Sequence, residues 1–199
     1  AVADRLAIAL QQSLLYEQVQ AANQQLQELA LLDGLTQIPN RRYFDDYLQQ
    51  EWLRTCRETT SLSLILCDVD FFKAYNDAHG HQQGDTALKA IAQLLSNVVQ
   101  RPGDVVARYG GEEFGIVLPR TTSVGAARLA TSILDAFAQA AMAHPASPQQ
   151  QITLSMGICC RSAHNDLEPT ELLTYADRAL YRAKEQGRNQ FCIYPEKGL

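Results

Sequence analysis

The sequence predicts an α/β fold of the α+β kind: a central mixed β-sheet containing a hairpin, flanked by helices and preceded by one long N-terminal helix. Three observations predict it. Apolar runs of strand length, at residues 62–67 and 152–159, alternate with longer stretches of helical period. Two strand-like runs, 105–109 and 114–118, are separated only by a turn led by Gly110 and Gly111, which makes a hairpin and excludes an all-parallel sheet. Residues 1–32 contain neither Gly nor Pro and are rich in Gln, Ala and Leu, the composition of an uninterrupted helix.

In that first helix Leu15, Val19, Ala22, Leu26 and Leu29 step by four, three, four and three, and Ile8 extends the row backwards across Gln12. This narrow apolar seam reads as a parallel helical connector between two subunits. Because the chain opens inside a helical pattern, it reads as a piece of a longer protein. Asp33-Gly34-Leu35-Thr36 ends the helix, so the chain divides into a connector, 1–32, and a domain, 33–199. Pro39-Asn40-Arg41-Arg42 opens a helix reaching about Thr55, with Tyr43, Phe44, Tyr47, Leu48 and Trp52 on its apolar face. The strand 62–67 ends in Asp68-Val69-Asp70. A loop holding Gly80 and Gly84 leads to a helix from Asp85 to Val99, with Ala87, Leu88, Ile91, Leu94, Leu95 and Val98 on one face. After the hairpin come a helix over 123–141, a loop at His144-Pro145-Ala146-Ser147-Pro148, and the strand 152–159. A helix over 169–186 stops at Gly187, and a closing strand spans 191–194.

At 199 residues and 46% hydrophobic, the chain can bury one real core. Its formal net charge of −5 argues against a nucleic-acid binder, which needs a basic face, but leaves room for a small phosphorylated ligand met by a few local cations. The five cysteines are odd in number and lack CxxC or zinc-finger spacing, so they read as reduced thiols in a cytoplasmic protein. No leader and no membrane contact are expected within this segment.

The segment Arg108-Tyr109-Gly110-Gly111-Glu112-Glu113-Phe114 carries the chemistry. Two glycines permit a tight turn and a close ligand approach, and two acids stand at the turn exit. Such acids either solubilise a loop end or face a cation. If the strand ending in Asp68 and Asp70 neighbours the hairpin, three or four carboxylates converge and repel, for which a divalent cation is the usual remedy. Carboxylate and carbonyl oxygens suit Mg²⁺, or Mn²⁺ in its place, better than zinc. Lys184 and Arg188 flank Gly187. They read either as cations at a helix C-terminus or as a phosphate grip that Lys73 completes. Asn76 and Asp85 bracket the glycine loop; an amide and a carboxylate together can read a guanine edge, and Asp85 equally suits a helix N-cap. His81 reads as a loop-ordering residue.

At these residues the chain resembles the GGDEF family of diguanylate cyclases, in the GGEEF form of its signature, Gly110-Gly111-Glu112-Glu113-Phe114. Asp33-Gly34-Leu35-Thr36 and Asn40-Arg41-Arg42 resemble the family's opening. Asp68-Val69-Asp70-Phe71-Phe72-Lys73, Asn76-Asp77 and Gly80-His81-Gln82-Gln83-Gly84-Asp85 resemble its middle block. Residues 176–184 with Gly187-Arg188-Asn189 resemble its close. Gln37-Ile38-Pro39 departs from the commoner Gly-Leu pattern, away from the site. Residues 2–17 resemble the last helix of a GAF sensor domain.

The resemblance implies a palm-like nucleotidyl cyclase that condenses two GTP into cyclic di-GMP and pyrophosphate as a homodimer, joined through the N-terminal helix and the catalytic face, under an upstream sensor. It implies that Asp68, Glu112, Glu113 and the carbonyl of Val69 hold metal, with the three acids catalytic. Asn76 and Asp85 would read guanine, and Phe72, Lys73, Lys184, Arg188, Gly110 and Gly111 would contact substrate. Arg101-Pro102-Gly103-Asp104 falls where the family binds its product for inhibition, through Arg101 and Asp104. The alternative is a non-catalytic receptor module for GTP or cyclic di-GMP. An ATP cyclase is disfavoured, because Asp85 would face the acceptor N1 of adenine.

Overall fold

A computed structural model describes residues 31–162 and 168–195. The heptad seam and the GAF-like segment lie outside the described residues. Contacts divide the chain after Leu32, and the fold below is that of the unit from Asp33 onward.

The elements are α1 (Arg41–Glu58), β1 (Ser61–Val69), α2 (Phe72–His79), α3 (His81–Val98), β2 (Val105–Gly110), β3 (Glu113–Pro119), α4 (Ser123–Ala140), β4 (Leu154–Ser162), α5 (Pro169–Glu185) and β5 (Phe191–Ile193). They build one five-stranded sheet in the order β2-β3-β1-β4-β5. β1 is antiparallel to both β3 and β4, β2 pairs antiparallel with β3, and β5 runs parallel to β4. The sheet is mixed, as expected.

β1 is central and buried on both faces, which is why its sequence is a continuous apolar run rather than an alternation. Successive side chains still point to opposite faces. Leu62, Leu64 and Leu66 pack with Phe44, Leu48, Leu172, Ala176 and Leu180 of α1 and α5. Ile65, Cys67 and Val69 pack with Ile91, Leu95, Ile133 and Phe137 of α3 and α4. This alternation directs the side chain after Leu66 on the same face, Asp68, toward α5.

Local chemistry fixes the helix starts. The Asn40 side chain accepts from the Tyr43 N–H at 3.1 Å, and Thr122 accepts from the Gly125 N–H at 3.4 Å. α5 begins with Pro169 and a capping box between Glu168 and Glu171. Cys67, Cys159 and Cys160 are buried. No helix among the described residues is long and apolar enough to cross a membrane.

The main departure from the sequence reading lies between β1 and α3. The expected loop is a helix, α2, and α3 begins at His81, four residues earlier than expected. Gly80, at φ +81°, ends one helix and starts the next. Asp85 therefore lies inside α3 and caps nothing. Inside α3, the missing Cβ of Gly84 makes room for Asn76: a Cβ there would stand 1.8 Å from Asn76 Oδ1.

Candidate active site

The hairpin and the end of β1 meet as neighbouring strands. Asp68 pairs in register with Glu113, and the Val69 N–H donates to the Glu112 carbonyl at 3.3 Å. A bulge at Tyr109 precedes the turn, since Arg108 faces Phe114 while Gly110 faces Glu113. Gly111 takes φ +54°, which glycine adopts without strain.

Arg108 holds the turn from below. Its Nε and Nη2 donate to the Gly111 carbonyl at 2.9 and 2.8 Å, and its Nη1 donates to Asp33 at 3.0 Å. Asp33 also accepts from the Thr36 N–H and hydroxyl at 2.8 and 2.7 Å. Partial burial works to raise the Asp33 carboxyl, but the hydrogen bonds from Thr36 and Arg108 outweigh it and hold it below the usual carboxylate range.

Three carboxylates crowd the sheet edge. Burial pushes Asp68 up; Lys184 opposes, while the charges of Glu112 and Asp70 add to the rise. Burial also raises Glu113, with Asp68 and Glu112 adding to it. Lys184 Nζ lies 2.7 Å from Asp68 Oδ2. Among the described residues no three acidic, histidine or cysteine side chains form a ready cage for a metal ion. The Asp68 carboxylate turns to Lys184 instead, as a carboxylate among like charges takes the nearest cation. An all-oxygen set of mutually repelling acids nevertheless fits a hard divalent cation.

Asp70 does not join this cluster, contrary to the sequence reading of both aspartates. β1 ends at Val69 and Phe71 is left-handed (φ +56°), so the two-residue alternation no longer applies. Asp70 is 1% exposed. It accepts from the hydroxyls of Thr153 and Ser155, both at 2.7 Å, and from the Asn189 N–H at 3.1 Å. It ties the end of β1 to β4 and to the loop that carries Arg188.

That loop turns through three left-handed residues, Gly187, Arg188 and Asn189. The Arg188 guanidinium stands 4.7 Å over the Phe71 ring. Phe71 begins α2 with no side-chain cap, so the first N–H groups of α2 are open to an anion, with exposed Lys73 beside them. The Phe72 side chain is 6% exposed, packed in the core and stacked on Tyr75, which leaves only its backbone to contact a ligand. Asn76 lies against Gly84 with its Oδ1 buried and unpartnered, and exposed Asp85 follows directly. His81 is exposed at the start of α3.

Sequence reasoning missed His144. It is fully buried, its Nε2 lies 3.2 Å from the Phe71 carbonyl, and its ring packs edge-on to Tyr75. It braces the turn that opens α2. A lone histidine in a loop gave no signal of this.

Arg101 and Asp104 sit at the opposite end of β2 from the glycine turn. The Asp104 N–H donates to the Arg101 carbonyl at 2.9 Å. Burial pushes the Asp104 carboxyl up, Arg101 opposes, and Oδ1 is buried without a partner. A cavity of about 90 Å³ lies here, bordered by Arg101, Tyr47, and by Arg54 and Arg120, which the sequence did not single out. A larger cavity of about 390 Å³, near Arg41, Asp45, Tyr109 and Leu173, contains none of the expected site residues.

A mixed sheet with acids at one edge, beside an uncapped helix start ringed by cations, defines a palm-like nucleotidyl cyclase domain. Residues 30–190 match the family described as diguanylate cyclase, GGDEF domain, and the chain belongs to that family. It is 35% identical over 182 residues to the bifunctional diguanylate cyclase/cyclic di-GMP phosphodiesterase MucR of Pseudomonas aeruginosa, covering 92% of this chain and 26% of that protein. It resembles the coiled coil and GGDEF domain of DgcB from Caulobacter crescentus in complex with c-di-GMP. The TM-score is 0.83 at 29% identity, over 96% of this chain and 98% of that one. The active GGEEF domain of a diguanylate cyclase from Vibrio cholerae gives a TM-score of 0.71 at 36% identity, over 81% of this chain and 100% of that one. The chain spans 26% of the length of MucR and 52% of that of a Vibrio cholerae diguanylate cyclase that it matches.

Proposed function

We propose that this chain is the catalytic part of a diguanylate cyclase, condensing two GTP into cyclic di-GMP with release of two pyrophosphates. Each 3′-hydroxyl attacks the α-phosphorus of the other GTP, and the bond to pyrophosphate breaks. The observation that carries this reading is the register that sets Asp68 opposite Glu113, with the Glu112 carbonyl on the Val69 N–H, beside the uncapped start of α2.

Asp68, Glu112, Glu113 and the Val69 carbonyl would hold Mg²⁺, which when bound acidifies the attacking hydroxyl and neutralises phosphate charge. The N–H groups of α2 with Lys73, Lys184 and Arg188 take the triphosphate, and Gly110 and Gly111 let it lie against the turn. Asn76 and Asp85 read the guanine edge. Arg101 and Asp104 bind the product and inhibit. Each domain holds one GTP, so two must meet face to face. The heptad of residues 1–32 would supply the dimer and raise the local concentration of the second half-site, under an upstream sensor in the cytoplasm.

The test is incubation with GTP or ATP and Mg²⁺, followed by chromatography. Formation of cyclic di-GMP from GTP alone, lost in Glu112→Ala, is the expected result. GTP bound without turnover would refute the catalytic reading.

A further inference from the structure

We propose that Glu58 is a built-in counter-anion of the arginine-lined cavity, competing with a cyclic dinucleotide's phosphate for Arg120 and so setting the product concentration at which inhibition begins. The proposal rests on reading Arg101 and Asp104 as a product site, and it adds to that site a cation, Arg120, and a competitor, Glu58.

Glu58 ends α1 and uses both carboxylate oxygens on arginines that border the cavity. Oε1 accepts from Arg54 Nε at 3.0 Å, and Oε2 accepts from Arg120 Nε and Nη2 at 3.0 and 2.7 Å. Its carboxyl is held below the usual range, by the Arg120 hydrogen bond first and then by that of Arg54. Arg101 is held differently: its Nη1 donates to the neutral hydroxyl of Thr121 at 3.0 Å.

The same short turn supplies both contacts. Arg120 is left-handed at φ +52°, an unusual conformation for a residue with a Cβ, and Thr121 beside it donates its hydroxyl to the Pro119 carbonyl at 3.0 Å. The turn that aims Arg120 at Glu58 thus also anchors Arg101. A phosphate bridging Arg101 and Arg120 needs only a side-chain swing of Arg120 off Glu58.

The exchange is energetically mild. The Arg120 and Glu58 side chains are 51% and 36% exposed, and ion pairs so exposed are weak. A phosphodiester offers the guanidinium fork an equivalent charge-assisted contact. Around the cavity the guanidiniums of Arg54, Arg101 and Arg120 are balanced by Glu51, Glu58 and Asp104. Removing the Glu58 charge leaves one positive charge in excess for a dianionic ligand.

The test is calorimetric titration of cyclic di-GMP into the full chain and three variants, Glu58→Gln, Arg120→Ala and Arg101→Ala, with Glu58→Gln/Arg120→Ala as the double. Glu58→Gln should tighten binding about three- to tenfold, Arg120→Ala should weaken it by a similar factor, and the gain should shrink in the double variant. If Arg101→Ala abolishes binding while Glu58→Gln binds no tighter than the parent, the proposal is overturned and the product-site reading stands. If Arg101→Ala binds as the parent does, the product-site reading itself fails and the proposal with it.

Discussion

Asp70→Ala should damage stability, whereas Asp68→Asn should damage chemistry, although only Val69 separates the two aspartates. Asp70 is buried and accepts three hydrogen bonds, from Thr153, Ser155 and the Asn189 N–H. Leaving a buried donor without its acceptor costs about 1–3 kcal/mol, so roughly 3–9 kcal/mol for the three together. The lower end applies, because the two hydroxyls can rotate toward other acceptors and only the Asn189 N–H is fixed. At roughly 2–4 °C per kcal/mol for a domain of this size, Tm should fall by about 6–12 °C. Asp70→Asn should be milder, near 1 kcal/mol, since its remaining oxygen can serve Thr153 and Asn189 while the Ser155 hydroxyl turns to accept from the amide.

Asp68 behaves oppositely. Its carboxyl is pushed up by burial, so folding disfavours the charged form, and neutralising it at neutral pH should leave Tm unchanged or higher. On the proposed reading, in which it holds the metal, its loss should slow cyclic di-GMP formation by about a hundredfold or more, at 1.36 kcal/mol per tenfold. The assay pairs thermal melts with initial rates from GTP for all three variants. Asp70→Asn that loses activity as deeply as Asp68→Asn, with an unchanged Tm, would refute the division of roles.

Other substitutions probe the supports. Asp33 has a lowered carboxyl, so its contribution is present above the unfolded value and is lost as pH falls through the folded one. Asp33→Asn should therefore cost about 1 kcal/mol at neutral pH and nothing in acid, as read by denaturant melts at several pH values. Gly84→Ala would put a Cβ 1.8 Å from Asn76 Oδ1 and displace the amide. KM for GTP should rise about tenfold, the worth of one hydrogen bond, and selectivity over ATP should fall. His144→Leu removes the brace on the Phe71 carbonyl and should raise KM more than it lowers kcat, by about threefold to tenfold, with partial rescue in His144→Asn.

What was legible in the sequence depended on how local the governing physics is. The hairpin was readable because Gly110 and Gly111 sit between two apolar runs, whereas the neighbouring of β1 and β3, left as a condition in the sequence reading, is a long-range pairing that only the fold shows. Asp68 was legible as a possible neighbour of the hairpin acids because it stands at the strand exit, where it continues the face of Leu62, Leu64 and Leu66. Asp70 was misread, because the alternation stops where the strand stops, and nothing local announces that β1 ends at Val69. α2 was hidden for a related reason: it is short, starts on a left-handed Phe71 and ends on a glycine that also starts α3. Arg54 and Glu58 form an i, i+4 pair on α1 that spacing alone could show, but Arg120 joins them only through tertiary packing.

The two aspartates then explain each other. Three donors meet on Asp70 and tie together the end of β1, the edge of β4 and the Arg188 loop. Arg188 stacked on Phe71 and His144 on the Phe71 carbonyl pin the start of α2 to that junction. Against this frame Asp68 keeps a single charge partner among the described residues, Lys184, on a side chain flexible enough to leave. A carboxylate whose only charge partner can move away is free to take a cation, provided the frame around it does not move as well. On the proposed reading, the buried aspartate thus maintains the condition under which the other can take a metal ion.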